Sequence, residues 1–228
     1  RAEVQPPVSL SAEWSRLLDL LSLPTEASVL VAAPDSDESL LRALADVRPR
    51  ARVSLLDIAP GLPADLPADS SPLPSVVRRI APIPGGELDL PEDSFDLAVF
   101  EHAVDDIVVE AVAHHEGIES HARGDRGEYS PRSRAVRAYW RSGDLEAVAA
   151  PALVRIVELG LRALRPSARM VFHHRVVEAH LLGGHPLDLY TEYLPLSRRW
   201  IVEAGLRLRE VALDSFDPTW WMCLERLT

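Results

Sequence analysis

Lysine is missing from all 228 residues: the 24 basic side chains are arginine throughout. That excludes Schiff-base chemistry, a Walker-type phosphate loop and a lysine general base within this chain. Cysteine is nearly missing too, Cys223 being the sole thiol. One thiol supports neither an internal disulfide framework nor a cysteine zinc cluster. It suits a reducing cytoplasm, with Cys223 read as a small buried hydrophobe. Positive charge is in deficit, 24 basic residues standing against 35 acidic ones for a formal net charge of -11. A broad attraction to nucleic acid or to an anionic membrane is therefore disfavoured, although a local basic pocket is compatible with this balance. No apolar run approaches the roughly 20 residues that span a bilayer. The opening RAEVQPP has neither the apolar core of a secretion signal nor an initiator methionine, so the natural start is expected upstream.

What is present is the composition of a globular domain, 47% hydrophobic and 26% charged. Residues 1–228 read as one domain, without internal repeats. An N-terminal helical segment occupies residues 1–26, where Ser11 is a plausible N-cap and Trp14, Leu17, Leu18 and Leu21 share a helical spacing. From Ala27 the pattern alternates. ASVLVAAP reads as a buried strand, DESLLRALADVRP as an amphipathic helix and ARVSLLDIA as a second strand. Residues 60–75, rich in Pro, Asp and Ser, read as a surface loop. SVVRRIAPIP is a third strand or a short helix, FDLAVFEHA a fourth strand, APALVRIVELGLRALRP a long helix and ARMVFHHRVV a fifth strand. The tail reads as a helix ended at Gly205, then two strands forming an antiparallel edge. Strand and helix alternating with short joints imply an α/β fold, a doubly wound, mostly parallel sheet of about seven strands. Residues 108–148 are longer than an ordinary strand-to-helix joint and read as a lid inserted after strand four.

LDLPEDSFDLAVFEHAVDDI, residues 88–107, and LRALRPSARMVF, residues 161–172, resemble the S-adenosylmethionine-dependent methyltransferases of Rossmann-like fold. The resemblance runs from about Ala27 to Leu227. It implies S-adenosylmethionine as cofactor, with Asp57 at the end of strand two holding the ribose hydroxyls and Glu87 or Asp89 approaching the adenine amino group. It further implies that residues 32–37, with Ala33 and Asp35, border the methionine part, and that Glu101 lies beside the cofactor. Where that family usually has a glycine-rich turn, this chain has Ala32-Ala33-Pro34-Asp35-Ser36-Asp37. Carboxylates there favour a helix start and suit a cationic sulfonium or amino group. They would repel a dinucleotide pyrophosphate, which argues against a nicotinamide enzyme.

His102 follows strand four directly and is the candidate general base, since imidazoles titrate near neutral pH; the alternative is a histidine capping the next helix. Asp105 and Asp106 read as first-turn helix acids. Adjacent residues on a strand point to opposite faces, so His173 and His174 are read as one packed histidine and one, His174, facing the pocket, without a metal. Arg132, Arg134, Arg137 and Arg141 concentrate in the expected lid. All four, Arg137 and Arg141 foremost, are candidate contacts for a carboxylate or phosphate of substrate; the alternative is a solvated face. Tyr190 and Tyr193 are candidate pocket walls; the alternative, shared with Trp200, Trp220 and Trp221, is core or edge packing. His114, His115, Glu116 and His121 match no specific metal signature. The Arg-Gly-Asp at 123–125 is too short to carry weight. The combined expectation is methyl transfer to oxygen or nitrogen of a small metabolite, an acidic one where the arginines supply the contact. The competing expectation is a non-catalytic protein of the same fold acting through a partner. The partners expected are a small-molecule substrate and either a second copy of the chain or another protein, with no nucleic acid and no membrane.

Overall fold

The computed structural model describes residues 9–32, 39–57, 76–80, 90–118, 130–175 and 187–228. In chain order the elements are α1 (Leu10–Leu20), β1 (Ser28–Ala32), α2 (Ser39–Val47), β2 (Arg52–Asp57), β3 (Val76–Ile80), β4 (Phe95–Glu101), α3 (Ala103–His115), α4 (Pro131–Ser142), α5 (Leu145–Ala163), β5 (Leu164–His173), α6 (Leu187–Glu203), β6 (Leu208–Glu210) and β7 (Trp221–Arg226). The strands form one seven-stranded sheet in the order β3-β2-β1-β4-β5-β7-β6. β7 is antiparallel to β5 and to β6, while the other pairs are parallel.

Strands buried on both faces need apolar residues on both, and the central strands β1 and β4 carry them over Val29–Ala32 and Leu97–Phe100. Val29, Val31, Leu97 and Val99 face the layer of α1 and α2, packing with Trp14, Leu17, Leu40 and Leu44. Leu30, Ala32, Ala98 and Phe100 face the other layer, with Ile107 of α3, Leu153 and Val157 of α5 and Trp200 of α6. The sheet is therefore doubly wound. α5 comes close enough to it that a Cβ on Gly160 would stand 3.0 Å from the Met170 Cε and 3.5 Å from the Phe100 ring.

One sequence expectation shifts, and two others are made definite. The cap of α1 is Ser9, whose hydroxyl accepts from the Ala12 amide at 3.3 Å, and Ser11 lies inside the helix. The third strand-or-helix segment is a strand. The last two strands form the expected antiparallel edge, with β7 between β5 and β6 and β6 outermost. Of residues 108–148, the described part is the second half of α3, α4 and the start of α5. α3 is buried along most of its length, and α4 packs through Val136 and through Arg132, which pairs with Glu110 at 2.6 Å. No helix among the described residues is long and apolar enough to cross a membrane.

Candidate active site at the carboxyl edge of the sheet

In an open parallel sheet, ligands bind where successive connections leave in opposite directions, outside the carboxyl ends of the strands. Here that point falls between β1 and β4, which pair in register with Ala32 opposite Phe100. Asp57 ends β2 one residue beyond the Leu56 that faces Ala32, so it stands on the rim of the same crevice. Glu101 ends β4 opposite His173, the last residue of β5.

β4 passes into α3 through His102 alone. This residue has φ 51° and ψ 16°, the left-handed region that is uncommon for a side chain larger than glycine's. Its amide donates to the His173 carbonyl at 2.8 Å, which fixes the turn. His102 holds the N-cap position, but its side chain makes no cap hydrogen bond. The ring instead lies 5.2 Å from His173 and 5.4 Å from His174 between centroids. Strain of this kind persists where surrounding structure over-determines it, which marks a candidate functional position.

The two adjacent histidines part company as strand alternation requires. His173 packs 4.2 Å from Trp221 and 5.5 Å from Trp14, fully buried. Burial pushes its imidazole well below the ordinary histidine range, and His102, His174 and Arg175 push in the same direction. Neither ring nitrogen of His173 has a hydrogen-bond partner among the described residues. His174 goes the other way, stacking on Tyr190 at 5.3 Å and meeting Tyr193 edge-on at 4.9 Å. Its Nδ1 lies 4.0 Å from an Asp105 carboxylate oxygen.

Asp105 and Asp106 are buried in the first turn of α3, although helix-start acids usually face water. Their nearness, after burial itself, helps hold the fully buried Tyr193 hydroxyl well above the ordinary phenol range. Glu101 is likewise buried and accepts a hydrogen bond from the Trp14 indole at 2.8 Å. Trp14 was legible only as a core position on the apolar stripe of α1. Its polar atom reaches the site because α1 lies across the ends of β4 and β5.

The structure thus joins His102, His174 and Tyr190 in one cluster and adds Asp105 and Tyr193. Arg137 is half-buried on α4, its Nε donating to the Ser133 carbonyl at 3.3 Å. Arg141 is exposed at the end of α4 and reaches the rim beside Asp188, two residues before Tyr190. Arg132, read with them as a candidate contact for an anion, is spent on buried Glu110. Ala33, Asp35, Glu87, Asp89 and His121 lie outside the described residues. Among the described residues no group of three His, Cys, Asp or Glu is placed to hold a metal.

No protein-family model matches the chain. No curated protein matches it either. Solved structures do. A SAM-dependent methyltransferase from Aquifex aeolicus aligns over 97% of this chain and 93% of its own, at TM-score 0.50 and 13% identity. PH0851 aligns over 96% of this chain and 46% of its own, at TM-score 0.52 and 12% identity. A cofactor-bound structure of Rv0187 from MTB aligns over 98% and 82%, at TM-score 0.46 and 15% identity. The chain has the Rossmann-like fold of the S-adenosylmethionine-dependent methyltransferases. The β1–β4 crevice is where an open parallel sheet binds its ligands. Its surroundings hold the buried acids Glu101, Asp105 and Asp106, and neither ring nitrogen of His173 has a partner among the described residues.

Proposed function

We propose that the protein transfers a methyl group from S-adenosylmethionine to an oxygen or nitrogen of a small metabolite. The observation that carries this reading is the convergence of His102, His174 and Asp105 beside the β1–β4 switch point, on the fold described above. Asp57 would accept the two ribose hydroxyls, Glu87 or Asp89 would approach the adenine amino group, and Glu101 with residues 32–37, Ala33 and Asp35 among them, would border the methionine part of the cofactor. When bound, the cofactor supplies an electrophilic methyl group. The residues of the chain supply alignment, which is where most acceleration of such a transfer arises. His102 would take the acceptor's proton on its ring, with the turn held by the His173 carbonyl. His174, stacked on Tyr190 and near the Asp105 carboxylate, would hold the acceptor on the other side. An acidic acceptor would meet Arg137 and Arg141 at α4. A reducing cytoplasm suits the lone buried thiol of Cys223, which burial pushes up to about 11. A second copy or another protein as partner belongs to the same proposal.

A second reading has its own support in the sequence. Pro34, Asp35 and Asp37 stand where close backbone approach to a cofactor favours glycine, as they would if the crevice had been closed and the fold put to binding work. Isothermal titration with S-adenosylmethionine and S-adenosylhomocysteine separates the two. The methyltransferase reading expects micromolar binding of both, weakened at least about tenfold, or about 1.4 kcal/mol, by Asp57→Ala. Absence of binding at millimolar concentration would sink it and favour the partner-binding protein. Full affinity in Asp57→Ala would remove Asp57 from the site.

A further inference from the structure

Three arginines converge on a cavity at the opposite, amino edge of the sheet. It has a volume of about 520 Å3 and opens between the last turn of α5, the end of α6, the start of β6 and the end of β7. Arg162, Arg207 and Arg226 line it together with exposed Glu158. Arg226 is engaged by Asp93 and by the Leu164 carbonyl, and Arg207 donates to the Thr228 backbone carbonyl. Among the described residues the guanidinium of Arg162 makes no ion pair or hydrogen bond. An arginine in the last turn of a helix answers that helix's dipole, but one suffices for α5, and here two more face the same space.

The charge around the cavity sets the ligand. Three guanidinium groups face this cavity, and that of Arg162 has no partner among the described residues, in a chain whose formal net charge is -11. The remaining lining is apolar, with Leu161, Leu206 and Leu227. A volume of this size falls within the range of small-molecule sites. We propose that this cavity binds a small amphipathic monocarboxylate, its head on Arg162 and Arg207 and its hydrocarbon body on the three leucines. A planar guanidinium matches a carboxylate by two parallel hydrogen bonds. Glu158 opposes a second negative charge on the ligand, which disfavours phosphate monoesters. Reactants of a parallel sheet bind at the carboxyl edge, so this is a second site, and its occupancy depends on no assumption about methyl transfer.

The test uses hexanoate as the probe, titrated calorimetrically into the full chain, with hexanol and acetate as controls. Hexanoate is expected to bind saturably, with hexanol, which lacks the charge, and acetate, which lacks the body, each at least about tenfold weaker. Arg162→Gln should weaken hexanoate about tenfold, or about 1.4 kcal/mol, and Arg207→Gln should weaken it in the same direction. Arg162 is exposed, so its variant should melt with the parent when unliganded, which separates lost binding from lost fold. No hexanoate binding at millimolar concentration, equal binding of hexanol or acetate, or undiminished binding by Arg162→Gln would each overturn the proposal.

Discussion

His173 is held neutral by its surroundings, and that gives acid a route by which to act on the fold. It is enclosed by Trp14, Trp221 and His102, and its imidazole titrates well below the ordinary histidine value of 6.5. The largest cause is burial; the positive charge that His102, His174 or Arg175 can carry adds to it. In the unfolded chain this histidine takes a proton near pH 6.5, whereas the folded protein binds it only at lower pH. Above 6.5 neither state is protonated there, so the group is neutral to stability. As pH falls from 6.5 toward the depressed folded value, the unfolded state binds more protons and stability declines. His173→Phe keeps a ring of similar size without a titrating group, so its melting temperature should fall less than the parent's between pH 7 and pH 5.5. Thermal melts of both proteins across that range decide it: parallel curves would mean that His173 is not the acid-sensitive group.

At the scale of elements, α3 and α4 are joined by a buried ion pair. Arg132 and Glu110 meet at 2.6 Å with side chains 10% and 8% exposed. Replacing Arg132 with Met removes that partner and leaves a desolvated carboxylate on α3, at a cost of about 3–5 kcal/mol. Replacing both residues with Met should recover most of the loss, because hydrophobic side chains of similar volume substitute well for a buried pair. Urea denaturation of the two single variants and the double variant measures this, and a double variant no more stable than Arg132→Met would refute it. Such pairing was not legible in the sequence. PRSRAVRAYWR reads as a run of arginines on a solvated face or a ligand contact, since nothing local says that Arg132 turns inward toward a helix 22 residues earlier. The strands were legible for the opposite reason. VLVA of β1 and LAVF of β4 are apolar on both faces, a requirement local enough to be read from the residues themselves. Placing β7 inside β6 depends on a pairing made across the sheet, with Cys223 opposite Val171, which no periodicity encodes. The site was half legible. His102 and His174 stood at strand ends that the pattern already located. The roles of Trp14 and Asp105 arise only when α1 and α3 fold over those ends.

For the whole molecule, the two rims of the sheet carry opposite chemistry: buried acids and histidines at the carboxyl edge, arginines around a cavity at the amino edge. β4 crosses between them in seven residues. At about 3.3 Å per residue, the rims lie about 20 Å apart, beyond the range of about 7–10 Å within which neighbouring sites usually couple. The strands between them are packed on both faces by helices, which leaves little room for a discrete second arrangement to carry a signal. Ligands at the two rims should therefore stabilise the fold independently. A ligand present at a hundredfold excess over its dissociation constant adds about 2.7 kcal/mol. S-adenosylhomocysteine and hexanoate together should then raise the unfolding free energy by the sum of their separate effects, within about 0.5 kcal/mol. Urea denaturation with neither, each and both ligands measures the difference. A departure larger than that would mean that the sheet transmits between its edges, and the amino-edge cavity would then be a control site for whatever the carboxyl edge does.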